Sequence, residues 1–275
     1  MDRRVINVMI CAIIITLYVP SVTYAQQPDR CNYKFNGDYI LSYAPATWFT
    51  IKQPIKYKAK DWAVAGGMVA AAAVVYVYDE EIYNFFDSQF TNESAHKYGR
   101  FADAFGSGLL SIPMLGGFYV VGIVNDNDRA CHAALAGMQA FLLSGGAGWI
   151  IKEMTHRPRP DDLIEPDPKA WYGPFHGGGF DAFPSGHTMR AVALATVMAG
   201  VYNDKPWLGV AMYTLAGLTA YSRLVSGEHW PSDVIAGAAL GYGIGRAVLW
   251  FNRQKSARCI EPSISQDGIG MRVRF

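Results

Sequence analysis

Three short segments hold the side chains that could act together on one charged group. The first is Lys152-Glu153-Met154-Thr155-His156-Arg157-Pro158-Arg159-Pro160, and the second is Phe183-Pro184-Ser185-Gly186-His187. The third runs from Ser222-Arg223 to His229-Trp230-Pro231-Ser232-Asp233. Between them they offer Lys152, Arg159 and Arg223 as fixed cations, the Ser185 hydroxyl, and the imidazoles of His187 and His229. Three cations beside a helix-starting Ser-Gly pair suit a multiply charged anion, and phosphate is the natural candidate. Arginine holds such oxyanions through paired donors, while lysine adds a point charge. Three buried cations with no anion would be costly, so the pocket is expected to hold one most of the time. No Cys/His or carboxylate cluster here has metal-ligand spacing, which leaves the cations themselves to supply the electrophile.

The two histidines differ in context. Asp233 follows His229 by four residues at the entrance of an apolar run. A carboxylate on one ring nitrogen fixes the tautomer and leaves the other nitrogen as nucleophile or base. His187 follows a Pro-Ser-Gly turn and has no carboxylate near it in sequence, which suits it to give a proton to a departing oxygen. His96, His132, His156 and His176 lie outside this constellation and are read as structural.

The elements that must position these groups are apolar. The chain has 275 residues, 51% of them hydrophobic and 17% charged, with a net charge of +1. That composition excludes disorder, and near-neutrality argues against a nucleic-acid partner. Runs at Trp62–Tyr78, Ala104–Val124, Ala130–Ile151, Met189–Tyr202, Trp207–Tyr221 and Val234–Trp250 predict about six helices in a compact all-α bundle. Asp103 and Asp128 are candidate caps for two of them. If the helices alternate in direction, the Ile151–Thr188 and Ser222–Asp233 connections share one end. The lysine-rich arm, the turns at Asn125–Arg129 and Asp204–Pro206 and the tail share the other.

Ahead of the bundle, Arg3 and Arg4 precede an apolar stretch from Val5 to Val19 and a Thr23-Tyr24-Ala25 site, which reads as an export signal over Met1–Ala25. An irregular arm is expected over 26–61, with Lys52, Lys56, Lys58 and Lys60 on it. The helical domain then spans 62–250 and an irregular tail 251–275, in which residues 269–275 alternate as a short strand. Export permits one disulfide, expected between Cys31 and Cys259, with Cys131 as the competing partner.

The pattern Lys-x6-Arg-Pro at Lys152–Pro160, Pro-Ser-Gly-His at Pro184–His187 and Ser-Arg-x5-His-x3-Asp at Ser222–Asp233 resembles the signatures of the type 2 phosphatidic acid phosphatase (PAP2) superfamily. That superfamily also holds class A acid phosphatases and vanadium haloperoxidases. The resemblance covers roughly Trp62 to Trp250. It implies a phosphohistidine formed at His229 and oriented by Asp233, with His187 protonating the leaving group and activating water. It assigns phosphate binding to Lys152, Arg159, Arg223, Ser185 and Gly186, with no cofactor. Arg157-Pro158 looks like a second Arg-Pro pair, but its spacing from Lys152 selects Arg159. The implied substrates are phosphomonoesters or pyrophosphates, chiefly of lipids. Haloperoxidase chemistry and phosphoryl or headgroup transfer use the same cradle and stand as alternatives.

Two topological signals conflict. A cleaved signal followed by six full crossings would put the three segments on the cytoplasmic side, whereas the basic arm and tail argue that their own end is cytoplasmic. The expectation adopted is an exported, cell-envelope protein, membrane-integral or membrane-associated, with its site facing the periplasm. The loop Asp161–Asp181, with Trp171, Tyr172, Phe175 and the Gly177-Gly178-Gly179 run, is expected to cover the pocket as a lid.

Overall fold

Long apolar runs with small residues spaced four apart bury their backbone most economically as helices in close contact. The computed structural model describes residues 34–90, 102–174, 176, 179–257, 260–265 and 268–273, with side chains through residue 254. The signal segment, His96, Phe175, Gly177, Gly178, Cys31 and Cys259 therefore lie outside the described residues, and so does the expected disulfide. Cys131 is buried as a free thiol.

The arm is helical rather than irregular. Asn36 accepts the Tyr39 N–H at 3.0 Å and starts α1 (Gly37–Leu41), which leads into α2 (Tyr43–Lys52) and a 3-10 turn at Gln53–Lys56. Tyr39 donates to the Leu135 carbonyl and shares a hydroxyl contact with Tyr43. Phe49 packs on Trp250 and Phe251. These contacts give the arm the tertiary support that so short a helical segment lacks alone. The tail is not irregular either: β1 (Ile260–Ser265) and β2 (Gly268–Val273) form an antiparallel hairpin, Ile260 facing Val273.

Each of the six apolar runs contains a helix. They are α3 (Ala59–Val77), α5 (Ser111–Val124), α6 (Asp128–Thr155), α7 (Gly186–Val201), α8 (Pro206–Val225) and α9 (Pro231–Ala257). Between α3 and α5 lies α4 (Asp79–Phe90), which has too few apolar residues to stand out in sequence. It buries Ile82 and Phe86 against Val75 and Val225. The run expected at Ala104–Val124 is broken. Residues 102–107 make a helical turn, Gly108 takes φ +103°, and α5 follows. Neither proposed aspartate cap is the N-cap residue. Asn127 caps α6 by accepting from Ala130 N, and Asp103 lies inside the 102–107 turn.

Helix α7 is the centre of the bundle, with α6, α8 and α9 packed around it. Its Met189, Leu194, Val197 and Met198 have no exposure. The approach of α9 is set by Gly237, Gly241 and Gly245. A Cβ at these positions would lie 2.6 Å from Ser185 O, 2.2 Å from Met189 O and 2.7 Å from Ala193 O. Outward faces carry Val120, Val124, Trp149, Ile150, Trp207 and Val210 in the open. Among the described residues three helices, Ala59–Val77, Asp128–Thr155 and Pro231–Gln254, are long and apolar enough to cross a membrane.

The glycine stripe makes a contrast that can be measured. Gly241→Ala should cost about 1–3 kcal/mol by overpacking against backbone. Gly243→Ala, where an added Cβ meets nothing within 4 Å, should gain up to about 1 kcal/mol of helix propensity. Thermal unfolding in detergent should show the two substitutions moving in opposite directions.

Candidate functional site

The three chemistry-bearing segments meet at one end of the bundle because their backbones are tied to one another. Ala182 N donates to Arg157 O at 2.9 Å, and Ser185 N donates to Asp233 O at 3.0 Å. Trp230 Nε1 donates to Pro158 O at 2.9 Å. Helix α6 stops at His156, whose φ of +40° turns the chain out of the helix. Its Nδ1 donates to the Gly173 carbonyl at 2.9 Å, so this histidine closes the helix end. After α8, Gly227 takes φ +71°, a conformation open to glycine at little cost, and so turns Glu228 and His229 back toward the cations.

His229 is 1% exposed. Its Nδ1 lies 2.7 Å from the Ala182 carbonyl, which can only accept, so Nδ1 carries the proton and Nε2 keeps its lone pair. Sequence assigned that orienting contact to Asp233. In the structure Asp233 Oδ2 stands 3.9 Å away and instead accepts Trp230 N at 2.9 Å. Burial first, then Lys152 and Arg159, hold the His229 pKa well below its ordinary value. The ring is a buried neutral imidazole with a fixed tautomer.

The cations are not bare. Asp181 bridges Lys152 Nζ at 3.1 Å and Arg159 Nε at 2.8 Å. Glu228 bridges Arg159 Nη1 at 3.3 Å and Arg223 Nη1 at 2.8 Å. Asp103 stands 3.1 Å from Arg223 Nη2 and 3.6 Å from His187 Nε2. The result is an alternating row: Lys152, Asp181, Arg159, Glu228, Arg223, Asp103, His187. The cost expected of three buried cations without a bound anion is thus met in part by carboxylates of the chain. Against burial, Arg159 and Lys152 hold the Asp181 carboxyl below its usual range. None of these three carboxylates had been picked out as a site residue. Two of them precede the Ala182–His229 contact by one residue each, a signal visible only once the fold pairs Asp181-Ala182 with Glu228-His229.

Lys152 also lies at the start of α7, where a Cβ on Gly186 would sit 3.8 Å from its Cε. A lysine ammonium and a helix N-terminus meeting at one point make an anion site in the plain electrostatic sense. Ser185 is wholly buried, its Oγ 3.0 Å from Thr188 Oγ1.

Arg157, set aside in sequence, has no exposed surface. Its guanidinium donates to Asp233 Oδ1, to Ser232 Oγ at 2.9 Å and to Asp79 Oδ2 at 2.7 Å. Asp79 in turn accepts Ser232 N at 2.8 Å. The rings of Trp171, Tyr76 and Trp230 surround the guanidinium at 4.8, 5.2 and 5.7 Å. Trp171 is thus part of a cage, packed on Phe183 and bonded through Nε1 to Tyr76 Oη. Tyr172, His176 and Phe180 stack on one another farther along the loop.

Residues 133–257 match the family model of the PAP2 superfamily. A lipid A 1-phosphatase of Porphyromonas gingivalis is 43% identical over 77 residues, which are 28% of this chain and 17% of that protein. This chain thus spans under a fifth of that relative's length. A lipid A 4'-phosphatase of Bacteroides thetaiotaomicron is 25% identical over 174 residues, 62% of this chain and 76% of the relative. Among solved structures, a transmembrane PAP2 type phosphatidylglycerolphosphate phosphatase from Bacillus subtilis is similar at a TM-score of 0.47. That match has 18% identity and covers 79% of this chain and 95% of the other.

The two Arg-Pro pairs should part company on substitution. Arg157→Met strands two buried carboxylates, and breaking such a pair costs about 3–5 kcal/mol. Arg159→Met breaks partly exposed ion pairs worth about 0–1 kcal/mol each. Unfolding temperatures of the two variants should differ accordingly, with only Arg157→Met falling far below the parent.

Proposed function

The chain belongs to the PAP2 superfamily, and on that footing we propose that it is a metal-independent phosphatase. It hydrolyses phosphomonoesters or pyrophosphates, chiefly of lipids, at the cell envelope. The observation that carries this reading is the buried His229, whose tautomer is set by the Ala182 carbonyl and whose ring lies in the field of Lys152, Arg159 and Arg223.

The reaction follows from those positions. A phosphoryl group entering the cradle takes over the donors that Asp181 and Glu228 hold, and the three cations gather its oxygens. His229 Nε2 attacks phosphorus, forming a P–N bond while the P–O bond to the alcohol or phosphate leaving group breaks. His187 gives the leaving oxygen its proton. Water, losing a proton to His187, then attacks phosphorus and breaks the P–N bond. Inorganic phosphate leaves, and His229 returns to its neutral form.

Lipid substrates are supported by the apolar outer faces of the helices and by two relatives that are lipid A phosphatases. The envelope orientation rests on charge: the lysine-bearing arm packs at the end of the bundle away from the site. Basic ends favour the cytoplasmic side, which leaves the site facing outward.

Phosphate should be released from a lipid phosphomonoester in the presence of chelator, with orthovanadate competing. His229→Ala should reduce turnover to background, and removing Lys152, Arg159 or Arg223 singly should weaken vanadate by roughly 1.5–3 kcal/mol. Acid-labile phosphate should be trapped on the parent chain and not on His229→Ala. A requirement for Mg²⁺, substantial activity in His229→Ala, or bromide oxidation with added vanadate in place of phosphate release would overturn the reading.

A further inference from the structure

An acid that protonates the leaving oxygen must hold a proton, and the cradle opposes this. His187 is faced by Lys152 from α6, Arg159 from the following loop, Arg190 from its own helix and Arg223 from α8. Burial, and then these cations, push its pKa down to about 3. A dianionic substrate offsets part of that field. One carboxylate of the chain does so as well: Asp103, whose Oδ2 lies 3.6 Å from His187 Nε2.

The placement of Asp103 is built in from two sides. Thr219, on the helix that carries Arg223, donates its hydroxyl to Ala102 O at 2.9 Å. Gly106 presses the same turn onto His187, since a Cβ there would lie 2.7 Å from His187 O and 2.9 Å from His187 Cβ. Phe105, 1% exposed, anchors the turn in the core. Arg223 Nη2 stands 3.1 Å from Asp103 Oδ1, an ion pair without hydrogen-bond geometry that holds the two charges together.

We infer that Asp103 is the positioning residue for His187: pinned by Arg223, its charge stabilises the imidazolium that protonates the leaving oxygen. The inference rests on His187 being the proton donor of the proposed phosphatase. At 3.6 Å the contact is an ion pair rather than a hydrogen bond. The Nε2 proton therefore stays available to the leaving oxygen, and passes to it as the P–O bond breaks. Asp103 supplies charge and takes up no proton. Its own carboxyl is raised by burial, with Arg223 opposing that rise.

Asp103→Asn keeps the shape and removes the charge. Two substrates read the effect. An alkyl phosphomonoester needs its leaving oxygen protonated, and p-nitrophenyl phosphate hardly does. Turnover of the alkyl ester should fall by on the order of 100-fold, while p-nitrophenyl phosphate loses far less. Because Asp103 favours the protonated form of His187, its loss should move the basic limb of the pH profile to lower pH. Asp103→Glu should restore part of both effects. Asp103→Ser, which removes the charge at the same position, should reproduce the leaving-group pattern and carries the test if Asp103→Asn fails to fold. An equal loss on both substrates with an unmoved pH profile, in a variant that unfolds and binds vanadate like the parent, would overturn the role of Asp103 and leave the phosphatase standing. A parent chain that releases phosphate from neither substrate would overturn both.

Discussion

The guanidinium of Arg157, held between the carboxylates of Asp79 and Asp233, is the contact on which the site's geometry depends. It joins pieces of chain that are remote in sequence: α4 through Asp79, the start of α9 through Ser232 and Asp233, and the loop through the Pro168 carbonyl. A buried ion pair is stabilising only when its geometry is good and its remaining lone pairs are filled. Here Asp79 also accepts the Ser232 N–H and hydroxyl, and Asp233 accepts Trp230 N. The aromatic cage covers the guanidinium faces, which are weakly hydrated and lose little by leaving water. The layer holds two carboxylates to one guanidinium, and one of them, Asp233, has its Oδ2 3.9 Å from His229 Nδ1.

In the cradle Lys152, Arg159 and Arg223 alternate with Asp181, Glu228 and Asp103, so each of these three cations has a carboxylate of the chain beside it. Such an arrangement keeps three close cations from repelling one another and keeps their side chains aimed inward. It also means that an oxyanion gains only the difference between its own contacts and those of the carboxylates it replaces. A tetrahedral group with three or more acceptor oxygens can meet all three cations at once, which neither bridging carboxylate does. On the proposed function, discrimination for phosphoryl over carboxyl groups would follow from that geometry rather than from raw charge.

Much of this was legible in sequence, for identifiable reasons. The long helices show as apolar runs free of charge, and the three motifs place their cations and histidines by spacing alone. Helix α4 did not show, because its residues mix Asp79, Glu80 and Glu81 with aromatics whose partners outside the helix, such as Tyr221 and Trp230, are remote in sequence. The helical arm escaped for the same reason, its stability coming from Tyr39 on Leu135 and Phe49 on Trp250. The choice of Arg159 over Arg157 rested on the Lys-x6-Arg-Pro spacing of the family resemblance. The structural task of Arg157 could not be read, since Asp79 lies 78 residues away. The carboxylates that pair with the cations are likewise non-local, or else hidden as ordinary loop charges.

The position of Asp233 illustrates what a motif leaves unsaid. Spacing four residues after His229 suggests a direct His–Asp hydrogen bond, yet both carboxylate oxygens are engaged elsewhere and the imidazole proton goes to the Ala182 carbonyl. The division is physically sensible. A neutral buried imidazole needs only a dipole to fix its tautomer, and a full charge bonded to it would raise its basicity and favour protonation over attack. With phosphorus bound to Nε2, as proposed, the ring would carry positive charge and would need stabilising where it sits. A carboxylate 3.9 Å away, its charge shared with Arg157, acts on that charged state through space while barely perturbing the neutral one. On the proposed mechanism Arg157 would therefore set how strongly Asp233 favours the covalent state over the resting one, which would make the buried floor and His229 one electrostatic unit.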